Sequence, residues 1–122
     1  MPHKVLIADD AMFMRAMIRD ILVNSNRYEV VGEASNGQES VDLYRKLQPD
    51  LVTMDIVMPQ MDGIEATKEI LRANSKARVV MCSALGQEAL VIESIAAGAK
   101  DFIVKPFSAE KVLKVLDAVI SG

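Results

Sequence analysis

Lys4-Val5-Leu6-Ile7-Ala8-Asp9-Asp10 is the stretch around which the rest of the chain is read. Val5 to Ala8 form a short apolar run without polar alternation, which suits a strand buried on both faces. Two carboxylates follow at once. At about 4 Å, two like charges repel by roughly 4 kcal/mol at an effective dielectric of 20. One of the pair should therefore hold a proton, unless a cation sits between them.

Outward from this stretch, apolar runs alternate with amphipathic segments. Met14, Met17, Ile18, Ile21 and Leu22 recur at helical spacing, with Arg15, Arg19 and Asp20 expected on the outer face. Asn24 to Asn26 break that helix, and Tyr28 to Ala34 read as a second strand. Asn36 with Glu39 resembles a capping box for a helix carrying Val41, Tyr44 and Leu47. Leu51 to Met54 form a third strand that finishes on Asp55. Asp62 and Glu65 cap a third helix with Ile64, Thr67, Ile70 and Leu71. The fourth strand, Arg78 to Cys82, ends at Ser83, and a helix from about Gln87 to Ala97 is closed by Gly98. The fifth strand, Asp101 to Val104, ends at Lys105. Ser108 caps a last helix with Val112, Val115, Leu116, Val119 and Ile120.

Five strand-then-helix units predict an α/β fold with a five-stranded parallel sheet. The flavodoxin-like (βα)5 order 2-1-3-4-5 is the expectation for a sheet of this size, from the fold prior and not from individual residues. A chain of 122 residues fits one domain, so residues 1–122 are expected to be a single unit. Composition is that of a globular protein, and no apolar stretch approaches the roughly 18 residues needed to span a bilayer. Without a signal-peptide cleavage pattern at Met1-Pro2-His3-Lys4, a cytoplasmic location is expected. The net charge of −3, with no basic run and no tryptophan, argues against nucleic acid as a ligand. Cys82 is the single cysteine, in an apolar run, and is expected in the core. His3 lacks a second His or Cys nearby and is expected at the surface.

The strand ends carry the chemistry. In such a sheet, sites form beyond the carboxyl ends of the strands, near the switch point between strands one and three. Asp9, Asp10, Asp55, Ser83 and Lys105 all fall at that edge. Three carboxylates suit a hard cation, and Mg2+ takes one or two of them with waters and phosphate oxygens. Asp55 is the candidate nucleophile, since a carboxylate can carry a covalent phosphoryl group. Lys105 offers a positive charge, Ser83 a hydroxyl donor, and the Val57 backbone carbonyl a further metal ligand. A cis peptide between Lys105 and Pro106 would aim the lysine inward.

Asp9-Asp10, Asp55, Ser83 and Lys105-Pro106 together resemble the receiver domain of two-component response regulators, across the whole chain. Met58-Pro59-Gln60-Met61-Asp62-Gly63 is similar to that family's loop after the acceptor aspartate, and Ala97-Gly98-Ala99-Lys100-Asp101-Phe102 to the segment before its Lys-Pro. The entry Asp9 to Arg15 and the stretch Met81 to Gln87 resemble the chemotaxis branch.

The resemblance implies that Asp55 accepts phosphate from a sensor histidine kinase of the chemotaxis type. It implies Mg2+ on Asp9, Asp10, Asp55 and the Val57 carbonyl, and a switch pair of Ser83 and Phe102. Where the family usually has Thr, this chain has Ser83, which keeps the hydroxyl and loses a methyl that restricts its rotamer. Where the family often has Tyr, Phe102 keeps the ring and loses the hydroxyl. A flagellar motor switch protein is the implied output partner, with a phosphatase as a further one and no membrane contact. A monomer is expected, whose only chemistry is its own phosphorylation and dephosphorylation. The chain is expected to be a stand-alone regulator, the alternatives being one domain of a larger regulator or a module that works without phosphorylation. A flavin-binding flavodoxin is disfavoured because Asp9-Asp10-Ala11-Met12 would repel a phosphate in the absence of a metal. A haloacid-dehalogenase-type phosphatase is disfavoured because its nucleophile follows strand one, with a second Asp two residues on.

Overall fold

The computed structural model of the chain describes residues 2–122. In chain order the elements are β1 (His3–Ala8), α1 (Met12–Ser25), β2 (Tyr28–Ala34), α2 (Gly37–Leu47), β3 (Leu51–Asp55), α3 (Gly63–Ala73), β4 (Val79–Ser83), α4 (Glu88–Ala96), β5 (Asp101–Val104) and α5 (Ala109–Ser121). All strand pairs are parallel, in the order β2-β1-β3-β4-β5. The expected flavodoxin-like topology is therefore the observed one. No helix among the described residues is long and apolar enough to cross a membrane.

Alternation along each strand explains why the apolar runs are uninterrupted. Successive side chains leave opposite faces of a strand, so a sheet covered on both sides needs apolar residues at every position. Leu6 and Ala8 join the core under α2, α3 and α4, with Val41, Tyr44, Ile64 and Ile70. Val5 and Ile7 join the core under α1 and α5, with Ile18, Leu22, Val112 and Leu116. Leu6 and Ile7 are fully buried, and truncating such a side chain to Ala costs about 2–5 kcal/mol. The β1–β2 register shifts between Val5 and Leu6, so that Leu6 faces Gly32 and Val31 is passed over.

Local signals set the helix ends. The Asn36 side chain accepts from Glu39 N–H at 2.7 Å and starts α2, but the Glu39 carboxylate returns to Ser35 N–H at 2.7 Å and not to the capping residue itself. Asp62 caps α3 through Glu65 N–H at 2.9 Å, and Ser108 caps α5 through Lys111 N–H at 3.2 Å. Beyond α4, Gly98 takes φ +114°, a backbone shape that favours glycine, and a Cβ there would stand 2.4 Å from Leu71 Cδ1. Cys82 is buried, and His3 is exposed with its ring tilted against Tyr28.

One helix face differs from the periodicity. Met17 is 42 % exposed and lies outside the core, whereas the Arg15 side chain is only 14 % exposed. Met14, Ile18, Ile21 and Leu22 suffice to seat α1 on the sheet, and the helix is rotated to turn Arg15 toward β2.

Candidate phosphoacceptor site

Each strand-end residue is delivered by the element before it. Asp9 continues β1, and its N–H donates to the Ala34 carbonyl at the end of β2 at 3.0 Å. Asp55 closes β3 and pairs in register with Cys82 of β4. Ser83 closes β4, and its carbonyl accepts Lys105 N–H at 2.7 Å. The peptide between Lys105 and Pro106 is cis, as expected.

The three carboxylates converge. Asp9, Asp10 and Asp55 each offer an oxygen, and these oxygens lie within 4.8 Å of one another. Asp9 and Asp55 are buried and Asp10 is exposed. Lys105 reaches into the group, with its Nζ 3.1 Å from Asp9 Oδ2 and 3.3 Å from Asp55 Oδ1. The other Asp9 oxygen accepts Ala11 N–H at 2.9 Å. Ser83 is buried at the same edge and Val57 lies two residues past Asp55, its side chain 54 % exposed.

Electrostatics modify the sequence expectation for the acidic pair. The cation that relieves Asp9 is Lys105, and the carboxyl with the raised proton affinity is Asp55. Burial first, and then the Asp9 charge, push Asp55 up to about 6, against the opposing pull of Lys105. For Lys105, burial works to lower the pKa, but the Asp55 and Asp9 charges outweigh it and the net direction is upward. Burial pushes the Cys82 thiol up to about 12, so it is no nucleophile.

This donor set fits a divalent cation. Oxygen-only ligands within 4.8 Å of one another, with one carboxylate held above its ordinary proton affinity by burial and then by the Asp9 charge, form a site that gains from an added positive charge. Glycine makes room beside it. A Cβ on Gly63 at the start of α3 would stand 2.0 Å from the Asp55 carbonyl oxygen, and Gly63 N–H donates to the Ile56 carbonyl at 2.7 Å.

Phe102 is 39 % exposed. It borders an apolar groove of about 620 Å3 that Ser83, Leu85, Val91, Ile92 and Ile95 also line. Helical periodicity puts Arg15 on the outer face, and no motif in the sequence marks Glu33. Arg15 Nη1 in fact donates to the Asp9 carbonyl at 2.7 Å, and its Nε to Glu33 Oε1 at 3.3 Å. The two partners lie far apart in sequence, on different elements, and no local pattern announces their contact.

Parallel topology of this order, with three acidic oxygens and a lysine at the carboxyl ends of β1, β3 and β5, defines a response-regulator receiver domain. Residues 5–117 match the family model "Response regulator receiver domain", and the chain belongs to that family. The chemotaxis protein CheY of Bacillus subtilis is 57 % identical over 121 residues, covering 99 % of this chain and 100 % of that protein. CheY of Thermotoga maritima is 56 % identical over 119 residues, covering 98 % of each chain. The response regulator domain of Thermotoga maritima CheB superposes with a TM-score of 0.92 at 38 % identity, covering 100 % of this chain and 98 % of that one. A crystal structure of the CheX-CheY-BeF3-Mg+2 complex from Borrelia burgdorferi matches with a TM-score of 0.91 at 40 % identity, covering 98 % of this chain and 90 % of that one. The protein is thus a CheY-like, phosphorylation-dependent switch, and its acidic cluster fits a phosphoacceptor site.

Proposed function

We propose that Asp55 is the residue phosphorylated and that Asp9, Asp10, Asp55 and the Val57 carbonyl hold Mg2+. The single observation carrying this reading is the convergence of three carboxylates on one lysine at the sheet edge. The ion, when bound, neutralises charge on the transferring phosphoryl group. An Asp55 carboxylate oxygen forms the new O–P bond while the P–N bond of a phosphohistidine breaks. The electron pair stays on the imidazole nitrogen, which then takes up a proton. Lys105 holds its ammonium against the phosphoryl oxygens, and the Ser83 hydroxyl donates to another of them. Hydrolysis reverses the loading: water attacks phosphorus, the acyl-phosphate O–P bond breaks, and Asp55 returns as a carboxylate. No external substrate is turned over.

Phosphorylation adds about −1.5 to −2 charges and new acceptor oxygens. Ser83 moves toward them, and Phe102 turns from its partly exposed position into the groove that Ser83 also lines. That motion remodels the surface of α4, β5 and α5, a two-state element biased by a local charge. The donor is a chemotaxis-type sensor histidine kinase and the receiver of the signal a flagellar motor switch protein, both in the cytoplasm. High identity to chemotaxis proteins over their full length supports this choice. A phosphatase partner is consistent with the CheX-bound CheY among the structural neighbours. The chain acts as a monomer, residues 1–122 forming one receiver domain. Capture of the motor switch protein on immobilised chain, with and without beryllofluoride and Mg2+, tests the output. Retention only with the phosphoryl mimic is expected, and equal retention in both states refutes a phosphorylation-dependent output.

A further inference from the structure

Asp10 differs from its neighbours in how it is held. Asp9 has both carboxylate oxygens occupied, by Ala11 N–H and by Lys105. Asp10 is exposed, and its carboxylate makes no hydrogen bond among the described residues. Its position therefore follows from its flanking peptides, the one to Ala11, whose N–H is held by Asp9 Oδ1, and the one to Asp9. The latter peptide's carbonyl is the one that accepts from Arg15 Nη1 at 2.7 Å.

Arg15 is itself anchored. Its Nε donates to one Glu33 oxygen at 3.3 Å, and Arg19 Nη1 donates to the other at 2.8 Å. Glu33 precedes Ala34, whose carbonyl holds Asp9 N–H at 3.0 Å. The end of β2 thus grips Asp9 on both sides, directly through its N–H and indirectly, through Arg15, at its carbonyl. Without the second grip the Asp9–Asp10 peptide loses the hydrogen bond at its carbonyl and can rotate more readily. Repulsion between like-charged carboxylates would drive Asp10 away from Asp55.

We propose that Arg15, anchored by Glu33, is a positioning residue for metal binding, fixing the Asp9–Asp10 peptide so that the three carboxylates stay within reach of one ion. The inference rests on the reading of this cluster as an Mg2+ site. Arginine suits the task because its planar fork makes both contacts at once, from different nitrogens. Lysine carries the same charge on a single nitrogen and cannot reproduce that fork.

Positioning and plain electrostatics predict opposite signs for Arg15→Met and different outcomes for Arg15→Lys. A cation beside three carboxylates disfavours a second cation, so by charge alone Arg15→Met should tighten Mg2+ binding and Arg15→Lys should leave it unchanged. Positioning requires that both variants weaken it. The test is an Mg2+ titration of the full 122-residue chain, followed by amide NMR shifts at Asp10 and Asp55, for wild type, Arg15→Met and Arg15→Lys. Thermal unfolding in EDTA is run in parallel to establish that each variant is folded. We expect Mg2+ affinity about tenfold weaker in Arg15→Met, as for loss of a partner that orients a metal ligand, and incomplete recovery in Arg15→Lys. Unchanged or tighter binding in a folded Arg15→Lys overturns the inference while leaving the metal site standing. Absence of Mg2+ binding by the wild type removes the metal reading and the inference together.

Discussion

Lys105 Nζ stands 3.3 Å from Asp55 Oδ1, although β4 lies between the two strands that carry them. The contact depends on Lys105 reaching back across the end of β4 from the tip of β5. It lowers the proton affinity that burial and Asp9 give Asp55. Lys105→Met should therefore raise the Asp55 titration midpoint from about 6 to about 7 or above, since an adjacent opposite charge moves a carboxyl by about one to three pH units. Carboxyl carbon NMR of metal-free protein measures it, and a midpoint unmoved by the substitution contradicts the role given to the lysine. Phosphoryl uptake at pH 7 should slow in the same variant, because more of Asp55 is protonated.

A folded-state pKa raised above the ordinary value makes stability depend on pH with a definite sign. An ordinary Asp titrates near about 4, and Asp55 in the fold near about 6. The folded chain binds this proton more tightly than the unfolded one. The contribution to stability is complete below about pH 4 and is lost as pH rises through about 6. Asp55→Asn removes the ionisation. In metal-free buffer it should stabilise the protein at pH 7 relative to wild type, with the gap closing as the pH falls to 4. Urea unfolding at a series of pH values provides the check, and a gap that widens toward acid would show the opposite linkage.

Val57 and Leu85 present apolar side chains, 54 % and 77 % exposed, in the loops that follow Asp55 and Ser83. Neither offers a hydrogen bond to orient an attacking water. Val57→Asn supplies one, and a net bond of about 1 kcal/mol corresponds to about a fivefold faster loss of the phosphoryl group. Phosphate release after removal of the donor gives the rate. A rate unchanged or slower in the variant would count against these apolar side chains slowing hydrolysis.

Much of this was readable from the residues because the site is built at strand ends, and strand ends are visible in sequence. Apolar runs stop at Asp9, Asp55, Ser83 and Lys105, so the parallel sheet alone brings them to one edge. Asn36, Asp62 and Ser108 marked helix starts through local hydrogen bonds, which depend only on near neighbours. Met17 was misplaced because helical periodicity describes a stripe about 100° wide and does not fix how the helix is rolled on the sheet. Arg15 and Glu33 could not be paired in advance, since their contact depends on that roll and on the side-by-side packing of α1 and β2. The raised proton affinity of Asp55 was hidden for a related reason. Sequence adjacency pointed to Asp9 and Asp10, whereas burial and the spatial approach of Asp9 act on Asp55.

Identifying Asp55 as the acceptor is the claim on which the signalling account depends, and intact-mass spectrometry tests it most directly. Wild-type chain and Asp55→Asn are incubated with a small phosphoramidate donor, with Mg2+ and with EDTA. The account predicts a mass gain of one phosphoryl group in wild type with Mg2+ only, and none in Asp55→Asn under either condition. Labelling that persists in Asp55→Asn, or that proceeds equally well in EDTA, would contradict it.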